Sequence, residues 1–570
     1  MRESLPPRES VLIPSPFPMP ARSSMRSLAL VALALACGAA QAAAPLPPPA
    51  LNPGLINKQG QSNLNQLEQQ NALPKPSSPL QAPPPKPAPG GEQGPSFVLH
   101  GLRVDPTPFL STAEIQAVAS PYLGREVNIA TLRGIVAQLN QVLARKHEVT
   151  VSAYLPPQTI AGGVVRIAVL QGRLGSLGVS GTHHLSPSFV RSFVALQPGE
   201  VVNLPRVSDD LARFNDTGLA RIQALLRPGA RFGLTDIELA VTEPPRNLLQ
   251  VFLDNQGVSA VGRDEAGVLY QLYAPAGIDD KLTLYALKSR GNEMGSLAYN
   301  LPINASGGRA GISLSSGRIR DVSGIYQQLQ VSGWSNSVSA NLAQPVYVGS
   351  HWIFLGTGSL TWANAKSFEL GTLVSSDSAT VEAFGLKTGY TGPGLSAGAT
   401  VTGSIVQSTS EVSGQRSDFD LLGGTFYARR ALPRGLLGVA SGAWQIASRQ
   451  SIPGGELFQV GGPTTVRGYP GNAVAGPSGY FAQFELHHSF ELPSATGPAG
   501  PVLDGFVFLD QGGVFNHYPR HQDLRSVGMG VTWPLSPRVS ASFTLGVPLE
   551  TTVYGQSGSE AYFSLTARLL

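Results

Sequence analysis

Two short stretches roughly forty residues apart carry opposite charges in otherwise uncharged surroundings. In the first, Val460-Gly-Gly-Pro-Thr-Thr-Val-Arg-Gly-Tyr-Pro470, Arg467 is the only charge. Gly461, Gly462 and Gly468, with Pro463 and Pro470, set tight bends and make this stretch a loop. In the second, Phe506-Val-Phe-Leu-Asp-Gln-Gly512, Asp510 is the only acid of an apolar, strand-like run. On a water-facing surface Arg467 is one more solvated cation and Asp510 a turn former before Gly512-Gly513. Folded into an enclosed lumen, a guanidinium with five donors requires a fixed carboxylate. The chemistry on offer is the anchoring of a loop, not bond making. His487-His488 stand beside Glu485 without a G-x-S-x-G elbow, which disfavours a hydrolase. His183-His184 lie in a turn with no Cys, Asp or Glu at ligand spacing, so a solvated loop outweighs a metal site. No phosphate-binding Gly-Lys loop occurs, and no catalytic, cofactor or metal residue is expected.

The elements that must position Arg467 and Asp510 are strands. From Pro244-Pro245 onward helical periodicity stops and alternation begins. Val539, Ala541, Phe543, Leu545 and Val547 fall on one face, and Arg538, Ser540, Ser542, Thr544 and Gly546 on the other. Leu395–Ile405 alternates likewise. Ten-residue segments of this kind, with Ser, Thr, Gly and Gln rather than charge on the polar face, are the pattern of a transmembrane β-barrel around a wet lumen. A soluble sandwich also alternates, but the polar faces and the export signal described below favour the barrel. Sixteen candidate strands begin near residues 248, 265, 281, 294, 308, 332, 351, 381, 395, 418, 435, 479, 503, 524, 537 and 560. An even number returns the chain to the side on which it entered.

Ahead of the barrel the pattern is α+β. A strand at Phe97–Val104 precedes a helix after Ser111, where Ser111 and Glu114 have capping-box spacing. A longer helix covers Ile129–Lys146, with Leu132, Ile135, Val136, Leu139 and Val142-Leu143 on one face, and strands follow at Val149–Tyr154 and Val164–Leu170. The order repeats: a strand at Leu174–Val179, a helix opened by Ser186-Pro187, a helix over Arg206–Asn215, and strands at Ile222–Leu226 and Leu234–Val241. These are two β-α-α-β-β units in tandem.

The chain is 570 residues long, enough for more than one domain. Arg26, the apolar run Leu28–Ala36 and Ala40-Gln41-Ala42 form a secretory signal cut after Ala42, with Met25 an alternative start. A lipoprotein reading through Cys37 is disfavoured by the offset of the preceding Leu. Removing residues 1–42, with four Arg against two Glu, lowers the formal charge from +4 to +2 and leaves no basic run for nucleic acid. Cys37 is the only cysteine, so the mature chain has no disulfide or cysteine nucleophile. Residues 45–53 and 74–95 are Pro-rich spacers. The polar segment between them reads on composition alone as a poorly ordered tail that is compatible with a short helix.

Val466-Arg467-Gly468-Tyr469 and Phe508-Leu509-Asp510-Gln511-Gly512 resemble the V-R-G-[YF] loop and F-x-D-x-G strand signatures of the outer-membrane protein assembly superfamily. Tyr154-Leu-Pro-Pro-Gln158, Gly162-Gly163 and Gln171-Gly172 resemble landmarks of the first POTRA domain of two-partner secretion transporters of the TpsB type, with Gln171 replacing the usual Glu. Leu226-Arg-Pro-Gly229, Gly233-Leu-Thr-Asp236, Asp254-Asn-Gln-Gly257 and Tyr299-Asn-Leu-Pro302 resemble further landmarks of the same transporters. The resemblance implies α+β POTRA modules followed by a transmembrane β-barrel of 16 antiparallel strands. It divides the chain into a signal peptide (1–42), a linker with a plug helix at 55–72 (43–95), POTRA 1 (96–172), POTRA 2 (173–243) and a barrel (244–570) with an inturned loop (450–478). It further implies that Arg467 pairs with Asp510, that Gly468 allows the turn and that Tyr469 packs the tip. The implied function is secretion of one unfolded, β-helical exoprotein of haemolysin or adhesin type through the barrel. The implied setting is the bacterial outer membrane, with the POTRA domains in the periplasm. Partners would be that exoprotein, outer-membrane lipid and, during biogenesis, the barrel assembly machinery. Cofactors, nucleic acid and enzymatic activity are not expected. The alternative is an insertase of the same superfamily.

Overall fold

A computed structural model describes residues 51–71, 80–81, 96–146, 151–231, 233–324, 327–491, 502–517, 520–551 and 556–570. The expected signal segment and most of the Pro-rich spacer lie outside the described residues.

Sixteen antiparallel strands close into a barrel, from Asn247–Asp254 to Glu560–Arg568, each bonded to its sequence neighbour. The first and last strands close the cylinder from Gln250↔Arg568 to Asp254↔Ser564. Closure leaves no open edge, which is the condition for strands in a bilayer. The strand count and alternation agree with the sequence pattern. Phe543 and Val547 point outward and are exposed, whereas Ser542 points inward and bonds Ser564 at 2.7 Å. The largest departure is the eighth strand, which spans Thr372–Gly392 and begins nine residues before the expected start. Its first half, Thr-Leu-Val-Ser-Ser-Asp-Ser-Ala-Thr, lacks apolar alternation, because polar residues fall on both of its faces. The five strands from Ser332 to Ala431 run to 16–21 residues, whereas the first three have 8 or 9.

The first amino-terminal unit packs the helices Thr112–Ala119 and Ile129–Arg145 on a three-stranded sheet, and Leu132, Ile135, Leu139 and Leu143 supply the core. Ser111 and Glu114 form a complete capping box. The expected strand Phe97–Val104 is broken into Phe97–Val98 and Gly101–Val104. The cause is Leu99, which is fully buried and pairs its backbone with Gly124 and Arg125 instead. The second unit has the same order, with helices Pro187–Ser192 and Leu204–Thr217. Its sheet gains a fourth strand from the spacer: Leu80–Gln81 lies parallel to Arg221–Pro228, with Leu80 opposite Ala224.

This second unit is fixed to the barrel. Asp279, in the turn between the second and third barrel strands, is almost fully buried. It accepts from the Leu219 and Ala220 amides at 2.8 and 2.9 Å, from the Tyr273 hydroxyl at 3.0 Å and from Arg309 at 3.1 Å. Tyr273 and Ala274 complete the unit's own core.

Candidate functional site: the lumen, its helix and its anchored loop

Inside the barrel stands a helix, α1 (Pro53–Gln70). Asn52 caps it, accepting from the amides of Gly54 and Leu55 at 3.0 and 3.3 Å. Its 18 residues span about 27 Å, close to the roughly 30 Å of a hydrocarbon core. The helix is polar overall, as suits a wet lumen, and its few apolar residues meet apolar wall patches. Leu51 and Ile56 join Val258, Val261, Ile319 and Val331; Leu64 joins Phe252, Leu269, Tyr285 and Met294. Polar ties add to these. Glu68 Oε1 accepts from Lys281, Gln271 and Thr283, each at 2.9 Å. Ser315 donates to Asn57 at 2.6 Å. Two ties reach the loop between the strands Leu436–Ala447 and Ser478–Glu491: Lys58 to Glu456 at 2.8 Å, and Asn472 to Gln59 at 3.2 Å.

That loop, residues 448–477, turns back into the barrel. A short antiparallel ribbon, Phe458–Val460 with Val474–Gly476, stiffens its neck. Gly461 and Gly462, at φ +114° and +99°, bend the chain beyond it. The structure brings Arg467 and Asp510 together at the tip. Nε and Nη2 of Arg467 donate to the two carboxylate oxygens of Asp510 at 2.7 Å each, and the Arg467 amide donates to Oδ2 at 3.0 Å. Asp510 is fully buried and Arg467 only 6% exposed, so the pair is shielded from water and is of the bidentate, charge-assisted kind.

Around the pair stand further residues, of which the sequence motif names Phe508 but not Glu485, His487 or Asp504. Nη1 of Arg467 donates to Glu485 at 2.5 Å. The guanidinium lies 3.7 Å from the centroid of the Phe508 ring, a cation–π contact. Glu485 in turn meets His487 at 2.9 Å, and the other ring nitrogen of His487 meets Asp504 at 2.8 Å. The His487 ring stacks on Phe506 at 4.9 Å. Strand alternation was the available signal, because Phe484 and Leu486 face outward and Glu485 and His487 must then face in. Val507 and Leu509 likewise face outward between Phe506, Phe508 and Asp510.

The other motif residues close the tip. Gly468 has φ +89°, and a Cβ there would stand 3.0–3.1 Å from the backbone of Gly546, Val547 and Pro548. Its amide donates to the Tyr562 hydroxyl at 3.1 Å, and that hydroxyl donates to the Tyr469 carbonyl at 3.1 Å. Val466 and Tyr469 are fully buried with Val460, Val514 and Leu524. The Tyr469 hydroxyl lies 3.0 Å from the carbonyl oxygens of both Arg525 and Glu550. Gly512 leaves room for the loop, since a Cβ there would stand 2.9 Å from Val460 Cγ1. Among the described residues no group of three or more His, Cys, Asp and Glu is arranged to hold a metal ion.

A closed barrel fed by small α+β units, with a helix in its lumen and an Arg-bearing loop folded inward, defines an outer-membrane β-barrel transporter with POTRA modules. Residues 233–533 match the model of the haemolysin secretion/activation protein family ShlB/FhaC/HecB, and residues 97–172 match the ShlB-type POTRA domain. The chain belongs to this family of transporters, which act in two-partner secretion from the outer membrane with their POTRA domains in the periplasm. It is 23% identical over 532 residues to the outer membrane transporter CdiB of Escherichia coli, covering 88% of each chain. It is 22% identical over 488 residues to the heme/hemopexin transporter protein HuxB of Haemophilus influenzae, covering 80% of this chain and 84% of that one. In fold it is similar to CdiB from Escherichia coli, with TM-score 0.63 and 19% identity over 90% of this chain and 98% of the other. It is also similar to a chain of BamA from Haemophilus ducreyi that lacks POTRA domains 1–3, with TM-score 0.52 and 14% identity over 83% of this chain and all of that one.

Proposed function

We propose that this transporter secretes one large exoprotein, of haemolysin or adhesin type and β-helical, through its own barrel, and that α1 is the plug that must leave first. The observation that carries the reading is the filling of the lumen by a polar helix held through separable contacts rather than by a continuous core. In this reading an unfolded client pairs with a POTRA sheet edge through main-chain hydrogen bonds, which demand little of its sequence. The second unit, read as a second POTRA domain, supports this, because its edge already accepts the extended segment Leu80–Gln81. Arg467, Asp510, Gly468 and Tyr469 hold the inturned loop while the client threads past, and folding outside supplies the pull. Outer-membrane lipid surrounds the barrel, and the barrel assembly machinery inserts it.

The test compares the culture medium of cells with the wild-type chain, with Arg467→Ala and with no chain, after heat-modifiable mobility has confirmed insertion. Loss of one large exoprotein without the chain, and its reduction with Arg467→Ala, is the expected result. An unchanged medium with general depletion of outer-membrane proteins refutes secretion and makes the chain an insertase.

A further inference from the structure

The outer wall of the barrel carries a charged row that faces away from the lumen. Lys288, Glu293, Arg318, Trp334 and Lys366 are register partners across five successive strands. All five face away from the lumen, because their strand neighbours Leu287, Met294, Ile319 and Ser335 are buried against the interior. Arg320, two residues beyond Arg318, faces the same way. The chain enters the barrel from the periplasm at Asn247, so this row lies at the extracellular ends of the short strands. Two of its cations are paired within the protein, Lys288 with Glu293 at 2.6 Å and Lys366 with Glu411 at 2.9 Å. Arg318 and Arg320 stand in the electrostatic neighbourhood of Glu293, which Lys288 already holds, and neither forms an ion pair among the described residues. Four cations against two acids leave a net charge of +2.

Directly below this row, toward the membrane interior, lies a groove of 910 Å³. Its floor is small, formed by Ala266, Ala286, Gly295 and Ser316, and Leu253 forms a wall on the first strand. A second hollow of 670 Å³ continues it past Leu284 and Leu314. These are positions where a barrel ordinarily presents bulky apolar side chains to lipid. Here the wall is recessed over several strands and bordered by Lys288, Glu293 and Arg318, with Arg320 two residues further out on the same face.

We propose that this groove and row form a binding site for a phosphorylated, multi-chain glycolipid of the outer leaflet. The acyl chains fill the recess, and the phosphates are held by Arg318 and Arg320. A planar guanidinium matches a phosphate through two parallel donors. Trp334, whose ring lies 5.8 Å from the Lys366 ammonium, marks the headgroup level beside them. Such a lipid would fix the strands next to the α1 seat, because Met294, Ser315 and Ser335 touch the helix from the inner side of the same wall.

The experiment uses the full chain in detergent micelles, shown to be folded by heat-modifiable mobility, and native mass spectrometry. The probes are bisphosphorylated lipid A, the same lipid with both phosphates removed, and phosphatidylglycerol. The bisphosphorylated form should bind most tightly. Arg318→Gln/Arg320→Gln should weaken it about thirtyfold, from the usual contribution of two interfacial cations. Lys387→Gln, on the lumen face, should leave it unchanged. Gly295→Leu tests the recess with the cations intact. An added Cβ at Gly295 meets nothing closer than 4.0 Å, so the leucine fills the groove without distorting the wall and should lower binding. Equal binding of the two lipid A forms, or unchanged binding by the double arginine variant, overturns the proposal. Wild-type binding by Gly295→Leu overturns the assignment of the groove to acyl chains.

Discussion

Replacing Arg467 by alanine removes the charged contacts that seat the tip of the inturned loop on the wall. The variant loses the two 2.7 Å bonds to Asp510, the bond to Glu485 and the contact with Phe508. It leaves Asp510, which is fully buried, with only the backbone amide of residue 467 as a donor from the loop. Breaking a buried ion pair from one side costs about 3–5 kcal/mol, much of it the uncompensated remaining charge. At about 1.4 kcal/mol per decade, the equilibrium between seated and unseated loop shifts by two to three and a half orders of magnitude. The contacts of Tyr469 and Val466 remain, so the barrel still closes while the loop samples other positions. Limited proteolysis from the extracellular side, read at residues 448–477, should therefore cut Arg467→Ala and leave wild type intact, with equal heat-modifiable mobility. Asp510→Asn keeps an acceptor and should fall between the two. If Arg467→Ala resists the protease as well as wild type does, the ion pair is not what seats the loop. The reasoning from burial then fails.

Gly468→Ala should unseat the same tip without touching any charge. The positive φ costs about 1–3 kcal/mol, and the new Cβ meets backbone atoms that have no rotamer to yield, so a lower urea midpoint for barrel unfolding is expected. Glu68→Ala removes three contacts to the wall, each worth about 1.5–3 kcal/mol for a charged acceptor. Planar-bilayer recordings should show longer and more frequent open events, and a conductance trace like wild type would place the hold on α1 elsewhere. In the first POTRA domain, the Lys146 ammonium, helped by Ser111, pulls the Glu114 carboxyl down to about 2. The stability this adds is complete above the unfolded carboxylate range near about 4.3 and is lost as pH falls toward the folded value. Hydrogen exchange of Thr112–Ala119, corrected for intrinsic rates, should accelerate between those limits in wild type, and Glu114→Gln should abolish that pH dependence.

Strand number and direction were legible because lipid on one side and water on the other impose strict alternation, and fifteen of the sixteen expected starts fall within a few residues of the observed ones. The eighth failed because Thr372–Thr380, with Ser375, Ser376, Asp377 and Ser378 in succession, carries no apolar period. The loop and its acidic partner could be named from Arg467 and Asp510 because each is the only charge in its stretch. Glu485, His487 and Tyr562 could not be assigned to the loop. Each is an ordinary inward residue of its own strand, and the loop's docking height decides which inward residues it meets. The break at Leu99 was hidden for a related reason. A buried leucine reads the same in a strand as in a bend, and only the turn at Gly124-Arg125 claims its backbone. The pairing of Leu80–Gln81 with the second unit is a main-chain contact, which no side-chain pattern reports.

The helix in the lumen and the POTRA domains are successive parts of one polypeptide, joined by the 24 residues 72–95. Even fully extended, these reach at most about 85 Å. In the proposed cycle α1 is therefore never released into bulk; it waits on a leash whose length sets a local concentration in the millimolar range. Re-entry is then a first-order event, with the same half-time however many barrels the membrane holds. The transporter resets by its own covalent structure once the client has cleared the lumen, and an isolated α1 peptide added from outside would have to reach millimolar levels to compete with it.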